Sequence, residues 1–310
     1  MTLDHSQINF FSCGTPCTIL AYGTNRDVAL VRAKERVMAI DDTMSAFKPD
    51  SPLNQICKNA GIAPVVIPSD LYDVLAASLE LGEASQGAFD ISCRPLSALW
   101  AFDQVKSTIP TGESIEKAKE MMGLKHLHLD SKKHSAYFDL KGGKLDLGGI
   151  AKGYAADEAK RILKENGVSD ALINLGGNVL GLGRFNQEKP WRIGIRNPLS
   201  LKGDYFTVLE ISEEAVVTSG VDEQFFIKDG KRYHHILDPR TGYPVDNGLL
   251  SVTIIGKSSL IADGLATACF VLGIDASLPL LREEGYRGIF VKNNGDVYSS
   301  FDLGNNPLKA

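Results

Sequence analysis

Apolar and polar residues alternate with two different periods along this chain. From Phe10 to Tyr22 the alternation predicts a strand that ends at the Gly23–Asn25 turn. Val28, Val31, Met38 and Met44 then fall on a helical stripe, predicting a long helix over about Arg26–Thr43 that Pro49 and Pro52 break off. Pro68, Ser69 and Asp70 announce a second helix, with Leu71, Val74, Leu75 and Leu81 on one face. Ser85 to Ile91 reads as a loop or short strand. From Lys106 to Lys144 the text is turn-rich, with short strand candidates at His126–Leu129 and Ala136–Leu140. Lys144–Leu147 reads as a strand entering Gly148 and Gly149, followed by a helix from about Tyr154 to Glu165 that Gly167 ends. Further strands are expected at Ala171–Leu175, Trp191–Ile195, Tyr205–Glu210, Phe225–Lys228 and Leu250–Ile255. A last helix at Ser259–Leu272 precedes short strands near Gly288–Val291 and Val297–Ser300.

Strands and helices do not alternate regularly, so the expected class is α+β. No internal repeat or linker interrupts the pattern, and residues 8–305 are expected to form one domain of one or two lobes. At 310 residues the chain can bury roughly three quarters of its unfolded surface. Composition is that of a soluble globular protein, with 44% hydrophobic and 23% charged residues and a mean hydropathy of −0.06. The net charge of −5 and pI near 5.7 argue against a nucleic-acid binder. An anionic substrate would need local help from a metal or from helix N-termini. No apolar run is long enough to span a membrane. Met1 to Phe11 holds Asp4, His5, Ser6, Gln7 and Asn9 and so lacks an apolar leader core. The expected compartment is therefore the cytoplasm, unless an export signal has been removed. Cys13, Cys17, Cys57, Cys93 and Cys269 fit neither a disulfide framework nor a zinc pattern, and read as small core residues.

Candidate chemistry concentrates in a few stretches. In Ser259–Leu272, Asp263 and Thr267 are four apart and share a helix face, while every other residue from Leu260 onward is apolar or Gly. An ionised Asp there costs several kcal/mol unless paired or metal-bound. A carboxylate with a hydroxyl suits Mg2+ better than Zn2+; pairing with an Arg or capping of a turn is the plainer alternative. Lys144-Leu-Asp146-Leu-Gly148-Gly149-Ile-Ala-Lys152-Gly153 brings a glycine turn and a lysine to a helix start, as phosphate binding requires, or as a tight packing corner would. It matches neither the P-loop nor the dinucleotide fingerprint. Leu175-Gly176-Gly177-Asn178 is followed by no helical pattern, so close strand packing is expected there. In Tyr233-His234-His235-Ile-Leu-Asp238-Pro239-Arg240 either histidine could act as a general base, or both could be polar members of a surface turn. Ala88-Phe89-Asp90 could offer an acid and an aromatic to a ring ligand. Trp100 and Phe102 are expected in the core.

Taken together, these stretches resemble the FAD:protein FMN transferase (ApbE) family. The resemblance rests on Cys13-Gly14-Thr15, Met44-Ser45-Ala46-Phe47 with Ser51, Gly87-Ala88-Phe89-Asp90 with Leu99-Trp100, Leu145 to Asp157, Asn174 to Asn178, Thr218-Ser219-Gly220, His234 to Gly242 and Ala262 to Thr267. It implies a T-fold-like α+β architecture, with mixed or antiparallel sheets, packed helices and an FAD cleft between two halves. It further implies that FAD is the substrate and that Asp263, Thr267 and the main-chain oxygen of Gly149 hold Mg2+. Cys13, Phe47, Ala88, Phe89, Asp90, Asp146, Lys152 and Leu237 would line the flavin site, and His235 would activate the acceptor hydroxyl. That acceptor would be a Thr or Ser on a partner flavoprotein subunit. Water in its place would give FAD pyrophosphatase activity, and loss of turnover would leave an FAD-binding protein. Three departures stand out: no lipobox, Cys13 where the family usually has methionine, and Val221-Asp222-Glu223-Gln224 where an acidic-aromatic-acidic-basic run is usual.

Overall fold

The computed structural model describes residues 4–102, 108–185, 187–200, 203–222 and 224–303. Met1, Lys106, Glu223 and residues 304–305, which entered the expectations above, lie outside them.

The chain opens with β1 (His5–Ser12) and β2 (Thr15–Tyr22), an antiparallel hairpin closed by the Ser12–Thr15 pair. The single strand expected over Phe10–Tyr22 is thus two. Cys13 and Gly14 both take positive φ, 51° and 72°, which a two-residue hairpin turn demands. A cysteine is an unusual occupant of that position, so the sequence gives little sign of the turn. Next come α1 (Arg26–Met44) and α2 (Pro52–Lys58). The Pro49–Pro52 stretch therefore also starts a helix: Pro52 is its first residue, and the Ser51 hydroxyl accepts the Asn54 N–H at 3.1 Å. A short β3 (Val65–Val66) and α3 (Ser69–Ala84) follow, then α4 (Arg94–Trp100), where no element was expected, and α5 (Gly112–Lys119), inside the Lys106–Lys144 stretch expected to be turn-rich. β4 (Leu127–Asp130) and β5 (Ser135–Phe138) make a small sheet with β3.

The strand expected at Lys144–Leu147 is not one. The segment is extended, but Leu145 N–H points to Cys57 Sγ at 3.2 Å and Asp146 N–H donates to the Ile91 carbonyl at 2.7 Å, so no ladder forms. It leads into α6 (Ala151–Glu165), which starts one turn before the expected Tyr154. The remaining elements are β6 (Asp170–Leu175), β7 (Asn178–Leu182), β8 (Trp191–Arg196), β9 (Tyr205–Ile211), β10 (Ala215–Gly220), β11 (Phe225–Lys228), β12 (Lys231–His234), β13 (Leu249–Gly256), α7 (Ser259–Leu272), α8 (Ile274–Glu284), β14 (Arg287–Lys292) and β15 (Val297–Ser299).

Among the described residues, eight strands join one sheet in the order β1-β2-β6-β7-β10-β13-β14-β15, antiparallel at every pairing. Neighbouring residues point to opposite faces of this sheet. Val217 and Ile254 enter the main core with α1, α6 and α7, whereas Val216 and Ile255 meet the β8–β9 hairpin around Trp191. No helix among the described residues is long and apolar enough to cross a membrane.

α6 and α7 are joined unusually closely. The Asp157 carboxylate of α6 accepts the Ser259 and Leu260 N–H groups, each at 3.0 Å, and the Ser258 hydroxyl at 2.9 Å, and so caps α7. In return, Asp263 Oδ2 of α7 accepts the Gly153 N–H in the first turn of α6 at 2.9 Å. Gly153 permits the approach, because a Cβ there would overlap the Ser259 carbonyl and lie 2.7 Å from Leu260 Cα.

Gly153→Ala is therefore expected to destabilise the fold by about 1–3 kcal/mol through overpacking. Gly112→Ala, where no atom lies within 4 Å of the added methyl, should change stability by less than about 0.5 kcal/mol. Urea denaturation of both variants checks this; equal midpoints would disprove the close-crossing account.

Candidate active site

A cavity of about 510 Å³ opens between the β1–β2 turn, the end of α1 and the start of α6, within the usual range for small-molecule sites of about 300–1,000 Å³. Cys13, Phe47, Asp146 and Lys152, four of the eight expected flavin-site residues, line it together. A second hollow of about 500 Å³, bordered by Asn25, Arg32 and Glu165, contains none of the candidate residues.

Each wall has a local cause. The Asp146 carboxylate accepts the Gly148 N–H at 2.8 Å and fixes the turn before α6. Lys152 Nζ donates to the Gly148 carbonyl at 3.0 Å, which holds its charge beside the N-terminus of α6. Burial, and secondarily Asp41, push the Cys13 thiol up to about 11, so it stays a neutral wall. Phe47 is 84% exposed at the rim. The Ser45–Lys48 loop that carries it is pinned from below by Asn54 Nδ2, which donates to the Ala46 carbonyl at 3.0 Å and the Lys48 carbonyl at 2.7 Å. The Ser51 hydroxyl donates to the Ser45 carbonyl at 2.7 Å, and Arg94 reaches both Asn54 and the Ala46 carbonyl.

Gly149 continues this turn to α7. A Cβ on Gly149 would lie 3.1 Å from Thr267 Oγ1 and 3.5 Å from Phe89 Cε2, so the Gly149 backbone sits against the Thr267 hydroxyl. Asp263, one turn earlier on α7, is buried and caps α6. The plainer reading of this Asp, a cap, is therefore part of its role. Among the described residues no three His, Cys, Asp or Glu side chains are placed to hold a metal ion. A cation here would rely on one carboxylate with hydroxyl and carbonyl oxygens, a donor set that suits Mg2+.

The other four expected flavin residues do not line this cavity. Ala88 and Phe89 are buried in the main core. Asp90 accepts the Ser92 N–H at 2.7 Å and hydroxyl at 2.6 Å, and burial raises its pKa. This loop meets the cavity through the bond from Asp146 N–H to the Ile91 carbonyl. Leu237 is buried with Leu96, Trp100 and Ile115 in a separate cluster and is not among the lining residues.

The two histidines have different environments. His234 is buried; its Nδ1 accepts the Ile236 N–H at 3.3 Å and its Nε2–H donates to the Val245 carbonyl at 2.9 Å. Both nitrogens are committed to a neutral ring, and desolvation lowers its pKa to about 4. His235 is half-buried, and Nδ1–H donates to the Gln224 carbonyl at 3.3 Å. In that tautomer Nε2 is the basic nitrogen. The following turn is closed by Asp238, which binds the Arg240 guanidinium at 2.9 Å, and the Trp100 indole donates to the Gly242 carbonyl at 2.9 Å.

Sequence reading missed Phe11, which is 67% exposed and lines the cavity, along with Asp41 and Lys48. It also missed Asn54, whose amide organises the rim. An apolar residue two positions before Cys13 and an amide on a short helix were the available signals.

The ApbE family profile matches residues 13–290. The FAD:protein FMN transferase of Treponema pallidum (strain Nichols) is 35% identical over 296 residues, covering 90% of this chain and 82% of that protein. The FAD:protein FMN transferase of Escherichia coli (strain K12) is 32% identical over 267 residues, covering 85% and 76%. Among solved structures, the ApbE protein of Thermotoga maritima superposes with a TM-score of 0.88 at 32% identity, covering 95% of this chain and 96% of that one. The flavin transferase ApbE from Vibrio cholerae gives 0.86 at 25% identity, covering 96% and 97%.

The lowered pKa of His234 predicts a pH dependence of stability. The unfolded ring takes up a proton near pH 6.5 and the folded one only near pH 4. Stability from this group is therefore complete above pH 6.5 and falls toward pH 4, by roughly 1 kcal/mol per pH unit. Denaturant midpoints of wild type and His234→Gln between pH 7 and 4 test this; parallel profiles would refute the assignment.

Proposed function

The chain belongs to the ApbE family, and from that premise we propose that it is a Mg2+-dependent flavin transferase. It cleaves FAD and attaches the FMN half, through a phosphoester bond, to a Thr or Ser hydroxyl of a partner flavoprotein subunit. The observation that carries this reading is the meeting of the Gly149 backbone, the Thr267 hydroxyl and the Asp263 helix face at the N-terminus of α6, next to the cavity.

Asp263, Thr267 and the Gly149 carbonyl would hold the cation. When bound, it neutralises charge on the diphosphate oxygens. The protein's own groups do the rest. The N-terminus of α6 and the Lys152 ammonium attract the same anion from the cavity side. Phe47 and Phe11, exposed at the rim, offer flat apolar faces to a ring system, with Phe89 packed against the turn at Gly149. The acceptor oxygen attacks the phosphorus of the FMN half, the bond to the bridging oxygen breaks, and AMP departs with that oxygen. The acceptor proton passes to His235 Nε2, a contribution of about 10²–10⁴-fold. His234 is unsuited to this task, because both its nitrogens are already bonded.

Incubation with FAD, Mg2+ and a candidate acceptor, followed by mass spectrometry, tests the reading. An FMN adduct on Thr or Ser supports transfer; AMP and free FMN alone would assign a hydrolase, and intact FAD a binding protein. Asp263→Asn should abolish turnover, and full activity in EDTA would refute the metal assignment. His235→Ala should slow transfer by about 10²–10⁴-fold while FAD affinity is retained.

A further inference from the structure

The hairpin of β11 and β12 pairs only with itself among the described residues. One of its faces is anchored. Phe226 and Tyr233 stack at 5.2 Å, and Tyr233 and Phe102 lie 5.8 Å and 5.9 Å from Trp100. The opposite face carries Phe225 and Ile227, 39% and 64% exposed, with the Arg232 guanidinium 4.4 Å from the Phe225 ring. Arg232 is the cation of this face, opposite Ile227 in the ladder, whereas Lys228 and Lys231 lie on the anchored face, where Lys231 pairs with Asp246 at 2.8 Å.

The base of the hairpin is continuous with the candidate site. His235 follows β12 directly, and both its N–H and its Nδ1–H bond the carbonyl of Gln224, the residue before β11. His234, which shares a face with Phe225 across the ladder, packs its ring 5.6 Å from Phe270, three residues beyond Thr267 on α7.

We infer that this outer face docks the acceptor protein by binding an extended segment with acidic and apolar side chains. The inference rests on the transferase reading and names the surface that brings the hydroxyl to His235. Exposed strand edges supply main-chain donors and acceptors for an added strand. Phe225 and Ile227 give alternate apolar contacts, and the Arg232 guanidinium between them favours an acidic side chain over a basic one.

The test uses fluorescein-labelled synthetic peptides with one central threonine, flanked by Asp and Leu in one set and by Lys and Leu in the other. Fluorescence anisotropy with FAD-loaded protein should show binding of the acidic set alone. Ile227→Glu combined with Arg232→Glu should weaken it about ten-fold or more, and Ile227→Ser, at an exposed position that cannot disturb the core, should weaken it less. FAD affinity should be the same in all three proteins. Equal peptide binding by wild type and the double variant would overturn the inference, as would absence of acidic-peptide binding to wild type. Hairpin-dependent binding to phosphatidylserine vesicles with no peptide binding would also overturn it. If peptides bind as expected while FAD is never turned over, the surface stands and the transferase reading fails.

Discussion

The crossing of α6 and α7 at Gly153 governs the rest of the molecule. Two carboxylates are exchanged there, Asp157 capping α7 and Asp263 capping α6. Each helix N-terminus presents N–H groups with no partner in its own helix, and each finds one on its neighbour. Removing water from these carboxylates is costly, and burial raises the pKa of Asp157 even with three donors around it. The arrangement persists because the donors converge on it and because Gly153 lets the backbones approach. Its consequence is registration: with α7 fixed against α6, the Thr267 hydroxyl meets the turn at Gly149.

The cavity rim follows the same logic of satisfied backbone groups. The Ser45–Lys48 loop leaves several carbonyls without helix partners once α1 ends. Asn54, Ser51 and Arg94 take them up from beneath. Phe47 can thus remain exposed on a loop whose backbone is held.

Hydrogen-bond direction separates adjacent histidines that the sequence left equivalent. His234 is fixed as a neutral ring by one donor and one acceptor in a desolvated setting, which makes it a structural pivot against Phe270. His235 is oriented by the Gln224 carbonyl, so the hairpin that docks on Trp100 also sets the angle of the ring.

Local pattern was enough for the long elements. The stripe of α3, the unbroken apolar run of α7 and the alternation of β8 are strong local signals; α1 also forms, but with Ala29, Leu30, Ala33, Val37 and Ile40 buried while the expected stripe residues Val28, Val31 and Met38 are exposed. The short helices α4 and α5 and the Cys13-Gly14 turn escaped, because a few residues carry too little periodicity and their conformation is set by what packs on them. Asp263, Thr267, Gly149 and Lys152 were legible as chemistry, since an acid in an apolar helix and a glycine turn before a helix are costly without a purpose. Which of them meet, that His234 is fixed as a buried neutral ring, and that Leu237 is core while Phe11 lines the cavity were decided only by tertiary structure. Those outcomes depend on distances between segments far apart in the chain, and no local propensity encodes them.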